Sequence, residues 1–283
     1  MVIRSLVFVL LLIAVSTSCG SRVETKATIA STPPVVEQTP TPQPTATPSP
    51  TPPNLQAEIL DARNKQTSSP IGKFDFKNFE YALPRGWENP DGSDIKLVNG
   101  KLEPIGATVK GDMTDEQKAE AKANRRIGMS LVTVKYLDVN NDGEDEAVVV
   151  LKIETGGSAI PQVAYIYAWK NGAPELMWMF RTGDRADGGL KNLYRAEDTG
   201  LFVVELYGQD RFLLGGTETG KITGDYEQLC CPQFFTRTVY KWNGSAFMMQ
   251  GKRSTIDSAD PSVPPVDNMA DIVNSKAKPG AKK

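Results

Sequence analysis

The sequence predicts a mainly β fold, α+β with a minor helical component, arranged as an antiparallel β meander of hairpins in one domain. Three observations carry this. Asn-Gly occurs three times between apolar runs, at Asn99-Gly100, Asn171-Gly172 and Asn243-Gly244. Such pairs supply the positive φ that tight hairpin turns require. Short segments rich in Val, Ile, Tyr, Phe and Trp recur between turn residues, and these side chains suit a pleated surface. Strong helix signals are scarce by comparison.

The chain opens on an export signal over residues 1–18. Arg4 gives a positive n-region, Leu6–Val15 an apolar h-region, and Ser16-Thr17-Ser18 a small-residue cleavage step. The apolar run is well short of the ~20 residues a membrane-spanning helix needs. Cys19 follows directly, and this arrangement resembles a bacterial lipobox, with Ser16 where Leu is usual. The resemblance implies that the Cys19 thiol takes a diacylglyceryl group and becomes the new N-terminus, anchoring the chain to a membrane of the bacterial cell envelope. A plain secretory signal is the alternative. Residues 19–56 then form a Pro/Thr-rich linker. Proline fixes φ and lacks the amide donor, so this stretch favours polyproline II at ~3.1 Å per residue.

Residues 69–256 read as the globular β domain. Phe74–Leu83 is a strand candidate. Thr114-Asp115-Glu116-Gln117 has capping-box form ahead of the helix formers Lys118–Arg126, a polar surface helix. Strands follow at Leu131–Leu137 and Ala147–Ile153, the second an unbroken apolar run. Val163–Trp169 and Glu175–Phe180 flank the second Asn-Gly pair, Leu201–Tyr207 stands alone, and Phe235–Trp242 with Phe247–Met249 flank the third. A second short helix is expected near Asp267–Val273. Residues 257–283 otherwise read as a mostly disordered basic tail ending in Lys276, Lys278, Lys282 and Lys283.

Between two strand candidates lies Asp138-Val139-Asn140-Asn141-Asp142-Gly143-Glu144-Asp145-Glu146. Oxygens at alternating positions followed by glycine can wrap a chain around a hard cation. Asp138, Asn140 and Asp142 take the first three ligand positions, Glu144 would offer its carbonyl, and Glu146 stands at the ninth. Val149 occupies the twelfth, where a bidentate acid is usual. Calcium is the candidate ion. The alternative is a metal-free turn in which Asp138 and Asp142 accept backbone amides. The motif looks like the Asp-rich turn of FG-GAP and VCBS-type extracellular repeats. It is also similar to the single Asp-x-x-x-Asp-Gly-x-x-Glu-Ala turn of envelope lipoproteins of the LppP/LprE type. That resemblance implies an exported β domain without known catalysis.

Histidine is absent and the net charge is −2. The first fact removes the commonest general base and metal ligand. The second leaves no broad basic footprint, so nucleic acid is not an expected partner. The loop Arg181, Asp184, Arg185, Asp187 is a candidate polar ligand site or a salt-bridged connection. The leading functional reading is a lipid-anchored, non-enzymatic envelope module that binds an envelope protein or glycan. The alternative is a carboxylate-based hydrolase of envelope glycans using Asp184, Asp187 and Glu154. A deep cleft with two carboxylates would mark it.

With Cys19 lipidated, Cys230 and Cys231 are the remaining thiols in an oxidising compartment. They either close a strained vicinal disulfide or stay as two thiols at a kink before Pro232. The bridge is the expected state. It would leave the exported protein resistant to alkylation until mild reduction adds two labels to the intact mass. Immediate labelling without reductant would establish free thiols.

Overall fold

The turn-punctuated apolar runs form three sheets, each antiparallel except at one short parallel junction. The protein is described here by a computed structural model covering residues 54–106, 110–154, 161–183, 189–214, 218–221, 232–260 and 262–267. For 214, 218–221, 266 and 267 the description is of backbone alone. All these residues belong to the unit Pro50–Lys283.

The early strands are β1 (Glu80–Ala82), β2 (Asp94–Lys96), β3 (Lys101–Leu102), β4 (Gly128–Leu137), β5 (Glu146–Glu154), β6 (Gln162–Lys170) and β7 (Ala173–Arg181). The later ones are β8 (Leu190–Arg195), β9 (Phe202–Tyr207), β10 (Arg211–Leu214), β11 (Glu218–Lys221), β12 (Phe234–Trp242), β13 (Phe247–Asp257) and β14 (Val266–Asp267). β1 and β2 pair alone. A seven-stranded sheet runs β10-β11-β7-β6-β5-β4-β3, and a five-stranded sheet runs β14-β13-β12-β9-β8.

The seven-stranded sheet is the middle layer. On one face Val148, Val150, Ala164, Ile166 and Phe180 pack against Leu193, Phe202, Val204, Leu206 and Tyr240 of the five-stranded sheet. On the other face Val149, Leu151, Val163, Tyr165 and Tyr167 meet Ile71, Phe76, Tyr81, Ile95 and Leu97. This explains the unbroken apolar run of β5, which has no solvent face to reserve for polar residues. Each buried large side chain contributes about 1.5–3 kcal/mol. The buried hydroxyls stay paired: Tyr81 Oη donates to the Phe76 carbonyl at 2.6 Å and Tyr165 Oη to that of Ala82 at 2.7 Å.

The span Phe74–Leu83 departs from the strand expected there. It contains a 3-10 turn at Phe76–Asn78 after another at Pro70–Lys73, and only Glu80–Ala82 is strand. Asp75 caps the second turn by accepting from the Lys77 amide at 3.0 Å. A strand would put Phe79 on the face opposite Phe74 and Phe76. The turn gathers all three, with ring centroids 5.1 Å apart for Phe74–Phe79 and 6.0 Å for Phe76–Phe79.

The packed region also exceeds 69–256 at both ends. Ile59 is fully buried in the core between the large sheets, and Leu55 packs on Tyr207, Phe235 and Ile256. After residue 257, where a tail was expected, β14 pairs with β13 through Ser254↔Asp267 and Thr255↔Val266. Asp267 is thus strand rather than the start of a helix, and 268–273 lie outside the described residues. The expected capping box is present: Thr114 Oγ1 accepts from the Gln117 amide and Gln117 Oε1 from the Thr114 amide. It opens α1 (Asp115–Ala123), which buries no residue.

Asn99-Gly100 and Asn171-Gly172 both adopt paired positive φ, 52° and 82°, then 53° and 81°. The third turn differs. There the Asn243 carboxamide accepts from the Ser245 and Ala246 amides, and Gly244 carries the positive φ of 98°. The hairpins on either side of these last two turns lie in different sheets, and their aromatic residues meet across the layers. Trp178 stacks on Phe247 with centroids 5.0 Å apart and lies edge-on to Tyr240 at 4.9 Å.

Removing three carbons from a fully buried side chain leaves a cavity. Ile59→Ala is therefore expected to lower unfolding stability by about 2–5 kcal/mol in chemical denaturation. A change within error would show that the segment before residue 69 is not integral to the core.

Candidate functional site: a charged cleft on the five-stranded sheet

Charged residues interrupt several strands of the five-stranded sheet, and they converge. Tyr194 pairs with Val203, Val203 with Val239, and Val239 with Gln250. This row spans β8, β9, β12 and β13 on the face opposite Phe202 and Val204, which point into the core. It floors a cleft of about 1000 Å³. Asp61, Arg63 and Asn64 wall the cleft from the N-terminal segment, with Lys135 from β4, Arg237 from β12 and the Arg195–Thr199 turn.

Most of these charges are internally matched. Asp61 Oδ2 accepts from Arg63 Nε at 3.1 Å and Nη2 at 2.7 Å, and lies 3.7 Å from Lys135 Nζ. Burial alone would raise the Asp61 pKa. Hydrogen bonds from Arg63 and the charge of Lys135 outweigh it and hold the carboxyl below the usual range. Lys135 is 2% exposed and donates to Asn192 Oδ1 at 3.2 Å and to the Glu58 carbonyl at 3.3 Å. Burial pushes its ammonium pKa down, opposed by Asp61. One row along the sheet, buried Glu205 accepts from Lys191 Nζ at 2.8 Å, Arg237 Nε at 2.8 Å and Tyr194 Oη at 3.2 Å. Lys191 also donates to Glu58 Oε2 at 2.7 Å.

The Asp-rich turn abuts this cleft. Arg195 Nη2 donates to Asn141 Oδ1 at 2.7 Å. Gly200, at φ +68°, leaves room for both: a Cβ there would come within 2.8 Å of Arg195 Nη2 and 2.9 Å of Asn141 Oδ1. Within the turn, the Asp142 amide donates to Asp138 Oδ1 at 3.1 Å and Asn140 Oδ1 at 2.8 Å. The Glu144 amide donates to Asp142 Oδ1 at 2.8 Å. Glu146 is 2% exposed and accepts from the Val139 amide at 2.9 Å and Asn140 Nδ2 at 2.7 Å. Burial, reinforced by Asp142 and Asp138, pushes its pKa up to about 8 against those hydrogen bonds.

Asp138 Oδ1, Asn140 Oδ1, Asp142 Oδ1 and both Glu146 carboxylate oxygens thus accept hydrogen bonds from the turn's own donors. Among the described residues no group of three or more His, Cys, Asp or Glu side chains is placed to hold a metal ion. The described geometry is that of a hydrogen-bonded turn.

Of the other residues singled out in the sequence, Cys19, Cys230, Cys231, Asp184, Arg185 and Asp187 lie outside the described residues. Arg181 is described, with its guanidinium 5.3 Å from the Trp87 ring centroid. Glu154 accepts from Ser130 Oγ at 2.9 Å and pairs with Lys152 at 3.0 Å. Burial alone would raise its pKa, but these two partners outweigh it and hold the carboxyl low. The cleft residues were missed. Their signal, shared by Glu205 beside the cleft, was a charge inside an apolar strand: Lys135 in Leu131–Leu137, Glu205 in Leu201–Tyr207 and Arg237 in Phe235–Trp242.

No helix among the described residues is long and apolar enough to cross a membrane. Comparison with protein-family models, with curated proteins and with solved structures gave no match.

The buried Glu146 makes the turn pH-sensitive. Between its ordinary value of 4.5 and about 8 the unfolded chain releases this proton while the folded chain keeps it. Stability therefore falls as pH rises through that window and levels above it. Glu146→Gln should remove this fall, seen as a pH-dependent difference in Tm from the wild type. Millimolar calcium should leave both melting curves unchanged. A calcium-dependent rise in Tm, lost in Asp142→Ala, would show instead that the turn closes around a cation.

Proposed function

We propose that this chain is a lipid-anchored bacterial envelope module that holds a polar envelope ligand in the cleft of its five-stranded sheet and does not transform it. The observation that carries the binding reading is the cleft itself. It is open, about 1000 Å³ in volume, and floored by side chains from four paired strands. Such a floor is held in place before any ligand arrives, and sites of this kind sit on rigid scaffolds. The anchor rests on the lipobox-like residues before Cys19, and the Pro/Thr stretch would space the module from the membrane.

Chemistry at Asp61, Glu154 and Glu205 gives the hydrolase reading little support. Hydrolysis by paired carboxylates needs one protonated donor beside one ionised partner. Asp61 and Glu154 are both held below the usual carboxyl range by their cationic neighbours. Glu205 is surrounded by donors from Lys191, Arg237 and Tyr194.

The reading is tested in cells expressing the full chain. A photocrosslinking residue at Thr199, on the cleft wall, should yield an adduct with a glycan or another small envelope component. The same residue at Lys118, on the exposed helix, should not. Cys19→Ala should abolish acylation of the N-terminal peptide and release the protein from the membrane fraction. No adduct from Thr199 would remove the binding role, and an unacylated wild-type protein would remove the anchor.

A further inference from the structure

Arg63, Lys135, Arg195 and Arg237 line the cleft together with Asp61, Glu197 and Asp198, and Arg195 is the cation that no described carboxylate holds. Of the four cations lining the cleft, Arg63 is held by Asp61, Lys135 stands 3.7 Å from Asp61, and Arg237 is held by Glu205 at 2.8 Å. Among the described residues no carboxylate stands within ion-pairing distance of Arg195. Glu197 and Asp198 are close in the chain and line the same cleft, yet neither pairs with it. The partner of Arg195 is a neutral carboxamide oxygen, Asn141 Oδ1. Its Nε is buried and has no hydrogen-bond partner.

An N–H left in this state is unfavourable, the more so on a charged group. The guanidinium is nevertheless fixed, by Asn141 on one side and by the space that Gly200 leaves on the other. With Nη2 on Asn141 and Nε buried, a carboxylate or phosphate in the cleft would meet Arg195 at the outer end of its guanidinium, in a charge-assisted hydrogen bond. The cleft is far larger than a single oxyanion, so that group would be one end of a larger polar molecule.

We infer that the cleft ligand is anionic, and that Arg195 receives its carboxylate or phosphate group. This deepens the proposed binding role and rests on it. Lys135 and Arg237 are already matched by Asp61 and Glu205, which hold those two side chains away from the anion. Arg195 is then the specificity-determining residue.

The full chain in uncharged detergent is titrated with inorganic phosphate, with glucuronate and with uncharged glucose, at constant ionic strength set by chloride. Calorimetry and tryptophan-detected melting are the readouts. At least one anion should bind and raise Tm, and glucose should not. Preference for phosphate or for glucuronate tells which oxyanion the natural ligand carries. Arg195→Gln should weaken binding about tenfold or more, the loss expected for one charge-assisted contact. Gln250→Glu, which adds a carboxylate on the cleft floor without touching Arg195, should weaken it similarly, and Lys118→Gln should not. No binding of either anion beyond chloride would overturn the inference, as would glucose binding equally well. So would anion binding that is unchanged in both cleft variants, the signature of an adventitious ion only. If anions fail while Thr199 still crosslinks, the ligand is uncharged and only this inference falls.

Discussion

The fold depends on a sheet that is apolar on both faces. The strand Glu146–Glu154 offers water no row of polar side chains, so each face must be covered by other parts of the chain. One cover is the five-stranded sheet. The other is assembled from short pieces between Ile71 and Leu97, whose value lies in where they place Phe76, Tyr81 and Ile95. The second cover has little reason to hold its shape alone, because its one sheet is the two-stranded pair β1-β2 and an isolated two-stranded pair is marginal in water. The middle sheet therefore templates that cover. The outer surface of the second sheet becomes available for a site because its inner surface is already committed to packing.

That outer surface is built around buried charge. Glu205 gathers Lys191, Arg237 and Tyr194, and Lys191 reaches back to Glu58 in the segment that carries Ile59 into the core. Taking charges out of water is costly, so such networks contribute little net stability compared with apolar packing. Their effect here is positional. They orient the N-terminal segment across the sheet edge so that Asp61 and Arg63 form a cleft wall. A second buried pair, Asp210 with Arg253 at 2.7 Å, plays a comparable part where β9 turns into β10.

Local chemistry was legible in the sequence. The apolar run Ala147–Ile153, the Asn-Gly turns and the capping box at Thr114 each state their structure within a few residues. Phe74–Leu83 misled because its alternation of aromatic residues suits a strand, while the Asp75 cap favours a turn. The cleft was harder to read for a different reason. Lys135, Glu205 and Arg237 are visible as charges inside apolar strands, but their partners are distant in the chain. Lys191 meets Glu58 across 133 positions, and no local pattern encodes that pairing. Charge in a strand announces that a partner exists without saying where. The Asp-rich turn shows the converse. Its spacing permits a cation as well as a set of backbone amides, so the same residues are legible in two ways, and the Asp142 and Glu144 amides do bond to its oxygens.

The bond between Asn141 and Arg195 ties the turn between β4 and β5 to the end of β8, and so joins the two large sheets at one end. Any influence across it must run both ways, because a coupling free energy is shared equally by the two sites it connects. Whatever changes the shape of the Asp-rich turn alters how the guanidinium is presented to the cleft. Whatever grips the guanidinium biases the shape of the turn by the same amount. With the proposed ligand in the cleft, the turn would be an energetic extension of it: selection acting on ligand affinity would also act on Asn141, a residue that the ligand need never touch.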